Sequence, residues 1–359
     1  MKGRTGGRNR FSAADERFMR RALALAERGR ATTRPNPIVG AVIVRAGRIV
    51  AEGFHRRAGE PHAEVNALRA LAARGGDARG ATLYVTLEPC AHHGRTPPCT
   101  DAIVAARPAR VVVGCRDPNP IVDGTGLARL RRAGIRVDLG CLEQACQAAI
   151  RAYAIWVREG RPLVTLKAAA TLDGQIADGR RRSRRAPVWI TGPAARRAAH
   201  QLRAQHHAVL VGAGTVRADD PRLTVRLGRR AAGPPPLRVV LAGRHKLPPR
   251  AHVLDGEAPT LVIPGRRSIA RVLAELARRE VQSVLVEGGA RVHGAFIAAG
   301  LVDRLVLFLA PRLIGGGVPI AAQGEGLGLT VARALRLGVP TVRRVGDDLM
   351  LAADVVGGG

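Results

Sequence analysis

His62, Glu64, Cys90 and Cys99 do more than any other residues to limit what this 359-residue chain can become. Imidazole and thiolate are zinc ligands, and three of them fill three corners of a tetrahedron. The fourth corner then stays open to water, which separates a catalytic zinc from a structural one. Zinc lowers the pKa of such a water to roughly 7. Glu64 follows His62 by two residues, close enough to carry a proton from that water to a leaving amine. A competing reading is a structural site closed by His92 or His93, or two unrelated thiols. A structural site has no use for Glu64.

The chain is long enough for two domains, each with its own core. An apolar content of 46% fits a globular protein, and no run of eighteen apolar residues predicts a membrane span. Five cysteines, two of them assigned to zinc, argue against a disulfide framework and for a reducing cytoplasm. Residues 1–11 are basic and glycine-rich without a hydrophobic centre, which reads as a disordered tail and not a secretory signal.

A net charge of +30 would suit nucleic-acid phosphates. The only lysines are Lys2, Lys167 and Lys246, so arginine supplies nearly all of it, alongside abundant alanine and glycine. That pattern is the mark of G- and C-rich coding. Aromatic residues make up 3%, too few for base-stacking platforms, so nucleic acid is not expected as a partner. Phosphate on a small substrate is a further use for some of the arginines.

Hydrophobic spacing predicts a helix opened by Ser12 and Asp15 with Phe18, Ala22, Leu25 and Ala26 inward. Strands follow at 38–44 and 48–52, then a helix at 63–74 with Val65, Leu68 and Leu71 inward. A strand at 82–87, a helix at 100–106, a strand at 110–114 and a helix at 127–133 complete an α/β domain ending near Gly140. His62 and Glu64 thus fall at a helix start and Cys90 at a strand exit. Residues 143–159 read as a helix joining the halves. A second α/β pattern has strands at 163–168, 208–212, 237–241, 260–263, 283–287, 304–309 and 349–355, with helices at 193–204, 268–279 and 291–299.

The layout of His62, Glu64, Pro89, Cys90 and Cys99 is similar to the signature of zinc deaminases of nucleobases. It differs in having eight residues, not two, between the cysteines. The wider context is Pro35-Asn36-Pro37-Ile38-Val39-Gly40, Gly59-Glu60-Pro61-His62-Ala63-Glu64, the run from Thr86 to Cys99, and Asp117-Pro118-Asn119-Pro120. It resembles the deaminase half of the bifunctional riboflavin-biosynthesis deaminase/reductase family, whose own variant is the long insertion. The second half resembles the same family's reductase through Lys167-Ala168-Ala169-Ala170-Thr171-Leu172-Asp173-Gly174, Trp189-Ile190-Thr191-Gly192, Val211 to Pro221, Leu223-Thr224-Val225-Arg226 and Val286-Glu287-Gly288-Gly289.

The resemblance implies a three-layer cytidine-deaminase-like domain over 12–145, a linker helix over 146–160 and a dihydrofolate-reductase-like α/β domain over 161–359. It implies zinc-dependent deamination of a diaminopyrimidinone carrying a phosphoribosylamino arm, then NADPH-dependent reduction of the ribose to a ribityl chain. A cytoplasmic homo-oligomer using one zinc per chain and NADPH is the corresponding expectation. His62, Cys90 and Cys99 would hold zinc, and Glu64 would be the acid and base. Asn36, Asp117 and Asn119 would contact substrate, although each also suits a turn. His93 and Arg95 would lie near substrate if their loop covers the zinc.

In the reductase half the resemblance places the cofactor against Ala170, Trp189, Thr215, Asp219, Gly289, Ala290, Arg291, Val292, His293, Gly294 and Ala295. It places substrate against Leu223 and Glu287, with Arg203 and Arg226 on its phosphate. Lys167 would polarise the sugar or hold substrate, or else serve as a buried ion-pair partner. Pro187 occupies the place of a family serine, inside an arginine run over 180–185, and Thr125 replaces a residue that is often basic. An alternative therefore keeps an active deaminase with a degenerate or retargeted reductase half. A deaminase acting on RNA and a non-catalytic zinc protein are further readings, and the second domain and Glu64 weigh against them.

Overall fold

Ser12 opens the first helix as its side chain predicts. Its Oγ accepts the Asp15 N–H at 3.1 Å, and Asp15 Oδ2 accepts the Ser12 N–H at 3.0 Å, a reciprocal cap. The chain is described here from a computed structural model over residues 11–94, 97–120, 122–178, 188–228, 233–322 and 330–357. Its contacts divide it into two units, Met1–Glu159 and Gly160–Gly359.

The first unit runs α1 (Ala13–Ala26), β1 (Gly40–Arg45), β2 (Arg48–Phe54), α2 (Ala63–Ala72), β3 (Thr82–Leu87), α3 (Cys99–Ala106), β4 (Arg110–Cys115), α4 (Thr125–Arg132), β5 (Arg136–Leu139), α5 (Glu143–Ala149) and α6 (Arg151–Glu159). Its sheet has the order β2-β1-β3-β4-β5, with β3, β4 and β5 parallel. Two glycines explain how helices cover both faces. A Cβ on Gly40 would lie 2.0 Å from the Ala22 carbonyl of α1, and one on Gly53 would lie 2.4 Å from the Ala63 carbonyl of α2. Gly40 pairs with Phe54, and Ala41 pairs with Gly53. Neighbouring residues of a strand point to opposite faces, so α1 and α2 lie on opposite sides of the sheet.

That close approach also corrects the expected face of α2. Ala63, Glu64, Ala67 and Leu71 are its buried residues, while Val65 and Leu68 are only partly covered. A helix whose backbone nearly touches a strand has room there for alanine but not for valine or leucine. The helix expected over 143–159 is two helices interrupted at Ile150. Both fall in the first unit, where a linker over 146–160 is expected from the sequence. Arg110 joins the layers by pairing with Asp15 and Asp138 at 2.7 Å each. Burial works to raise the Asp15 pKa, but Arg110, Tyr84 and Ser12 outweigh it and hold the carboxyl well below its usual range.

The second unit runs β6 (Leu163–Thr171), β7 (Gln175–Ala177), α7 (Pro193–Ala204), β8 (Ala208–Gly212), α8 (Ala213–Asp219), β9 (Leu237–Gly243), β10 (Thr260–Pro264), α9 (Ile269–Arg278), β11 (Ser283–Val286), α10 (Ala290–Ala298), β12 (Arg304–Ala310), β13 (Val318–Pro319), β14 (Thr341–Val345) and β15 (Asp348–Asp354). Eight strands form one sheet in the order β10-β9-β8-β11-β6-β12-β15-β14. The first six are parallel, and the last two are antiparallel to their neighbours. Chain order makes β8 lead outward to β9, whereas β11 leads over β6 to β12. Their carboxyl ends therefore flank a topological switch point, where an open α/β sheet leaves a crevice for ligands.

Candidate functional site

In the first unit, His62 is the residue that caps α2, and Glu64 lies in that helix's first turn. Cys99 is the first residue of α3, and Cys90 follows the exit of β3. The ligand atoms of His62, Cys90 and Cys99 lie within 4.8 Å of one another. His62 Nδ1 is 3.0 Å from Cys99 Sγ and 3.6 Å from Cys90 Sγ. Zinc bonds of about 2.0–2.3 Å in tetrahedral geometry separate ligand atoms by roughly 3.5 Å, so the donor set fits zinc. His92 and His93 are exposed and outside this group, and Glu64 is buried but is not a member of it. Among the described residues, no fourth side chain closes the site.

Glu88 explains how Cys90 is placed. Its carboxylate is buried and accepts the backbone N–H groups of Gly124, Gly126 and Leu127 at 3.1, 3.0 and 3.3 Å. These are orphan donors at the start of α4, and this capping begins the helix at Thr125, earlier than its apolar pattern suggests. A Cβ on Gly126 would fall 1.9 Å from the Pro89 carbonyl, so glycine lets the strand exit lie against the helix.

A cavity of about 270 Å³ opens onto these groups, lined by Asn36, His55, His62, Glu64, Cys90, His92, Asp117, Asn119 and Tyr153 among others. Such a volume sits near the low end of small-molecule pockets, roughly 300 Å³. The sequence-derived Asn36, Asp117 and Asn119 are thus brought together with the zinc ligands. His55, Glu88 and Tyr153 are not singled out from sequence. Asn36 Nδ2 is 3.0 Å from His55 Nε2, and His55 Nδ1 is 3.3 Å from the Pro61 carbonyl. His55 therefore donates from Nδ1 and accepts at Nε2, and burial lowers its pKa. Asp117 Oδ1 accepts the Asn119 N–H at 2.9 Å and faces the Tyr153 hydroxyl at 3.5 Å. It is therefore both turn former and cavity wall, and burial pushes its pKa up to about 6. Burial likewise raises Glu64 to about 7. Bound zinc would add positive charge and oppose that rise. Arg95 lies outside the described residues.

In the second unit a cavity of about 700 Å³ is lined by Lys167, Trp189, Arg196, His200, Arg203 and Arg226, with others. Glu287 leaves the end of β11 beside it. Arg203 grips both Glu287 oxygens at 2.5 and 2.8 Å, and Lys167 Nζ lies 3.9 Å from Oε2. Burial opposes ionisation of Glu287, but Arg203 and Lys167 prevail and hold its pKa at about 2. Lys167 is thus both an ion-pair partner and a cavity residue. Lys167, Arg196, Arg197, Arg203 and Arg226 line the cavity against the single carboxylate of Glu287, so its wall carries a net positive charge that suits a phosphate. The Arg196 guanidinium lies 4.7 Å over the Trp189 ring.

The residues expected at the cofactor gather only in part. Gly288 leaves β11, and a Cβ there would meet Val211 Cα at 2.8 Å and Gly212 N at 3.1 Å, at the adjacent end of β8. Gly289 has φ +65° and caps α10, and a Cβ on it would lie 3.0 Å from Thr215 Oγ1. Two strand ends and two helix starts thus meet at the switch point, a cradle that suits a dinucleotide's phosphates. Asp219 is exposed at the end of α8, and Ala290, Arg291 and Val292 form the first turn of α10. His293 is buried, with Nδ1 2.8 Å from the Ile320 carbonyl. Gly294 abuts the Ala322 carbonyl, and Ala295 packs against a hydrophobic core. Ala170 is fully buried on the face of β6 opposite Lys167 and Ala169, and away from the 700 Å³ cavity. Leu223, expected at substrate, has φ +55° and is buried among Val209, Val211, Val216 and Leu285, outside the cavity lining. Pro187 and the arginine run over 180–185 lie outside the described residues.

Comparison with known proteins covers both units. Residues 12–115 match the cytidine and deoxycytidylate deaminase zinc-binding region, and residues 162–351 match the RibD C-terminal domain. Riboflavin biosynthesis protein RibD of Escherichia coli is 42% identical, covering 94% of this chain and 98% of its own. That of Aquifex aeolicus is 40% identical, covering 94% and 97%. A solved RibD structure from Acinetobacter baumannii aligns with TM-score 0.86 at 37% identity, over 96% of this chain and 99% of that one. A diaminohydroxyphosphoribosylaminopyrimidine deaminase/5-amino-6-(5-phosphoribosylamino)uracil reductase from Thermotoga maritima aligns with TM-score 0.86 at 38% identity, over the same shares.

Proposed function

The chain belongs to the RibD family of riboflavin-biosynthesis enzymes, and from that premise we propose how its two units carry out the family's two reactions. The first is hydrolytic deamination of 2,5-diamino-6-(5-phosphoribosylamino)pyrimidin-4(3H)-one. The second is NADPH-dependent reduction of the ribosyl group to ribityl. The observation that carries the first is Glu64, which is buried and lines one cavity with His62 and Cys90 but is not a member of the His62, Cys90 and Cys99 group.

His62, Cys90 and Cys99 would hold zinc, which would supply a water whose pKa lies near 7. Glu64 would take one proton from the attacking water and pass it to a ring nitrogen, then take the second from the hydroxyl so added at C2 and deliver it to the amine, which leaves as ammonia while C2 becomes the oxo carbon. Asn36, oriented by His55, reads the ring's polar edge. Asp117 and Asn119 bind the ribosyl arm.

For the reduction, Lys167, Arg203 and Arg226 neutralise the substrate phosphate and hold the sugar, and Glu287 fixes Arg203. The glycines at the ends of β8 and β11 would hold NADPH, which would supply the hydride. Thr215 and Gly289 would contact it, and the resemblance adds Trp189 and Asp219. The cationic residues expected at the substrate phosphate line one cavity, and the degenerate-reductase alternative gains no support from the described residues.

No described helix is long and apolar enough to cross a membrane. A cytoplasmic homo-oligomer without a nucleic-acid partner completes the reading, and light scattering and nucleic-acid gel shift test its last two parts. The central test is mass spectrometry of products from the diaminopyrimidinone with and without NADPH. Deamination alone without NADPH, and deamination plus reduction with it, is the expected result. Deamination alone in both tubes would return the degenerate-reductase alternative.

A further inference from the structure

The segment carrying Arg226 has irregular backbone, with no helix or strand over 221–227 to fix it. Side chains of α7 fix it instead. Arg203 Nη1 donates to the Thr224 carbonyl at 3.1 Å, and the Arg226 backbone N–H donates to His200 Nδ1 at 3.3 Å. His200 and Arg203 are three residues apart on one helix, so both leave it on the same side. Both line the cavity that Arg226 and Lys167 also line. Upstream, the buried Leu223 anchors the same segment in the core.

We propose that His200 is a positioning residue for the reduction, its Nδ1 lone pair holding the Arg226 backbone so that the guanidinium meets the substrate phosphate. The proposal rests on the reading above that Arg226 binds that phosphate.

The chemistry of the ring agrees with this role. An imidazole accepting at Nδ1 carries its proton on Nε2 and is uncharged. Burial, then Arg203 and Arg226, push the His200 pKa down to about 4, so the ring keeps its lone pair at neutral pH. A cation at this position would lose the acceptor and repel two guanidiniums. Arg203 cannot do the same work alone, because it clamps Thr224 and Glu287 and leaves the Arg226 N–H without a side-chain acceptor.

Steady-state reduction by the full-length protein tests this, using 5-amino-6-(5-phosphoribosylamino)uracil and its dephosphorylated counterpart. His200→Leu removes the acceptor, His200→Asn keeps one at about the same distance from the helix, and Arg226→Ala is the reference. NADPH titration followed by fluorescence reports that the second unit is folded. Losing one hydrogen bond of about 1–1.5 kcal/mol corresponds to a KM raised about five- to tenfold. That rise is expected in His200→Leu for the phosphorylated substrate only, with kcat little changed and His200→Asn recovering most of the affinity. Equal losses on both substrates would show a merely structural role and overturn the inference. So would an unaltered His200→Leu beside an impaired Arg226→Ala. If Arg226→Ala itself shows no phosphate-dependent loss, the phosphate reading fails first, and the inference falls with it.

Discussion

Glu64 and Glu287 are the same residue type, each buried beside a candidate site, and their acidities move in opposite directions. Glu64, with 3% of its surface exposed, faces two sulfur atoms and one imidazole and rises to about 7. Glu287, with 7% of its side chain exposed, faces Arg203 and Lys167 and falls to about 2. Burial penalises the charged form in both, so the neighbours decide the outcome. The first carboxyl has no arginine or lysine among the groups that shift it, and bound zinc would bring it down from that value. The second arrangement suits a permanent anion that organises cations around a phosphate.

Removing zinc breaks the comparison most sharply. Dialysis against a chelator is expected to abolish deamination while reduction of separately supplied 5-amino-6-(5-phosphoribosylamino)uracil continues. Loss of both activities would show that the two units do not work independently. Glu64→Gln should lower deamination by roughly 10²–10⁴. Metal analysis should still find zinc, and a lost metal would reassign Glu64 to the ligand set.

Glu287→Gln leaves Arg203 buried without its anion and should destabilise the second unit by about 3–5 kcal/mol in urea unfolding. The sign of its pH dependence follows from the depressed pKa. The ionised pair stabilises the fold fully above the ordinary value of 4.5, and that contribution is lost as pH falls toward about 2. The gap between wild type and variant should therefore narrow over that interval. A constant gap would mean that the charge of Glu287 is not what stabilises.

Gly288→Ala should cost about 1–3 kcal/mol, because its new methyl meets backbone atoms that cannot give way. It should also weaken NADPH binding measured by fluorescence, and unchanged affinity would move the cofactor away from the switch point. Tyr153→Phe should have the smallest effect, a KM for deamination raised about two- to threefold through loss of one long hydrogen bond to Asp117. A loss as large as that of Glu64→Gln would make the tyrosine part of the proton chemistry.

Much of the deaminase site was legible because its residues sit at element ends that local signals mark. Pro61 precedes the helix that starts after His62, and the apolar strand Thr82–Leu87 ends before Glu88-Pro89-Cys90. The capping pair Ser12 and Asp15 is equally local. His55 and Tyr153 were not legible, since a histidine at a strand end and a tyrosine in a helix have no local signature. α8, seven residues that begin with Ala213-Gly214, is too short for a periodic pattern. β14 is an exposed edge strand, so the alternation that marks a half-buried strand is missing.

The sequence by itself determined the ligand types, the presence of a non-ligating carboxylate beside them, and the α/β order of both halves. These depend on side-chain chemistry and on contacts a few residues apart. Tertiary structure alone decided that α2 buries alanines against Gly53, that Glu88 caps α4, that Leu223 belongs to the core, and that Glu287 pairs with Arg203 across 84 residues. Each depends on which backbone passes within a few ångströms of which other one. Local spacing carries no record of that distance, and only the packed chain sets it.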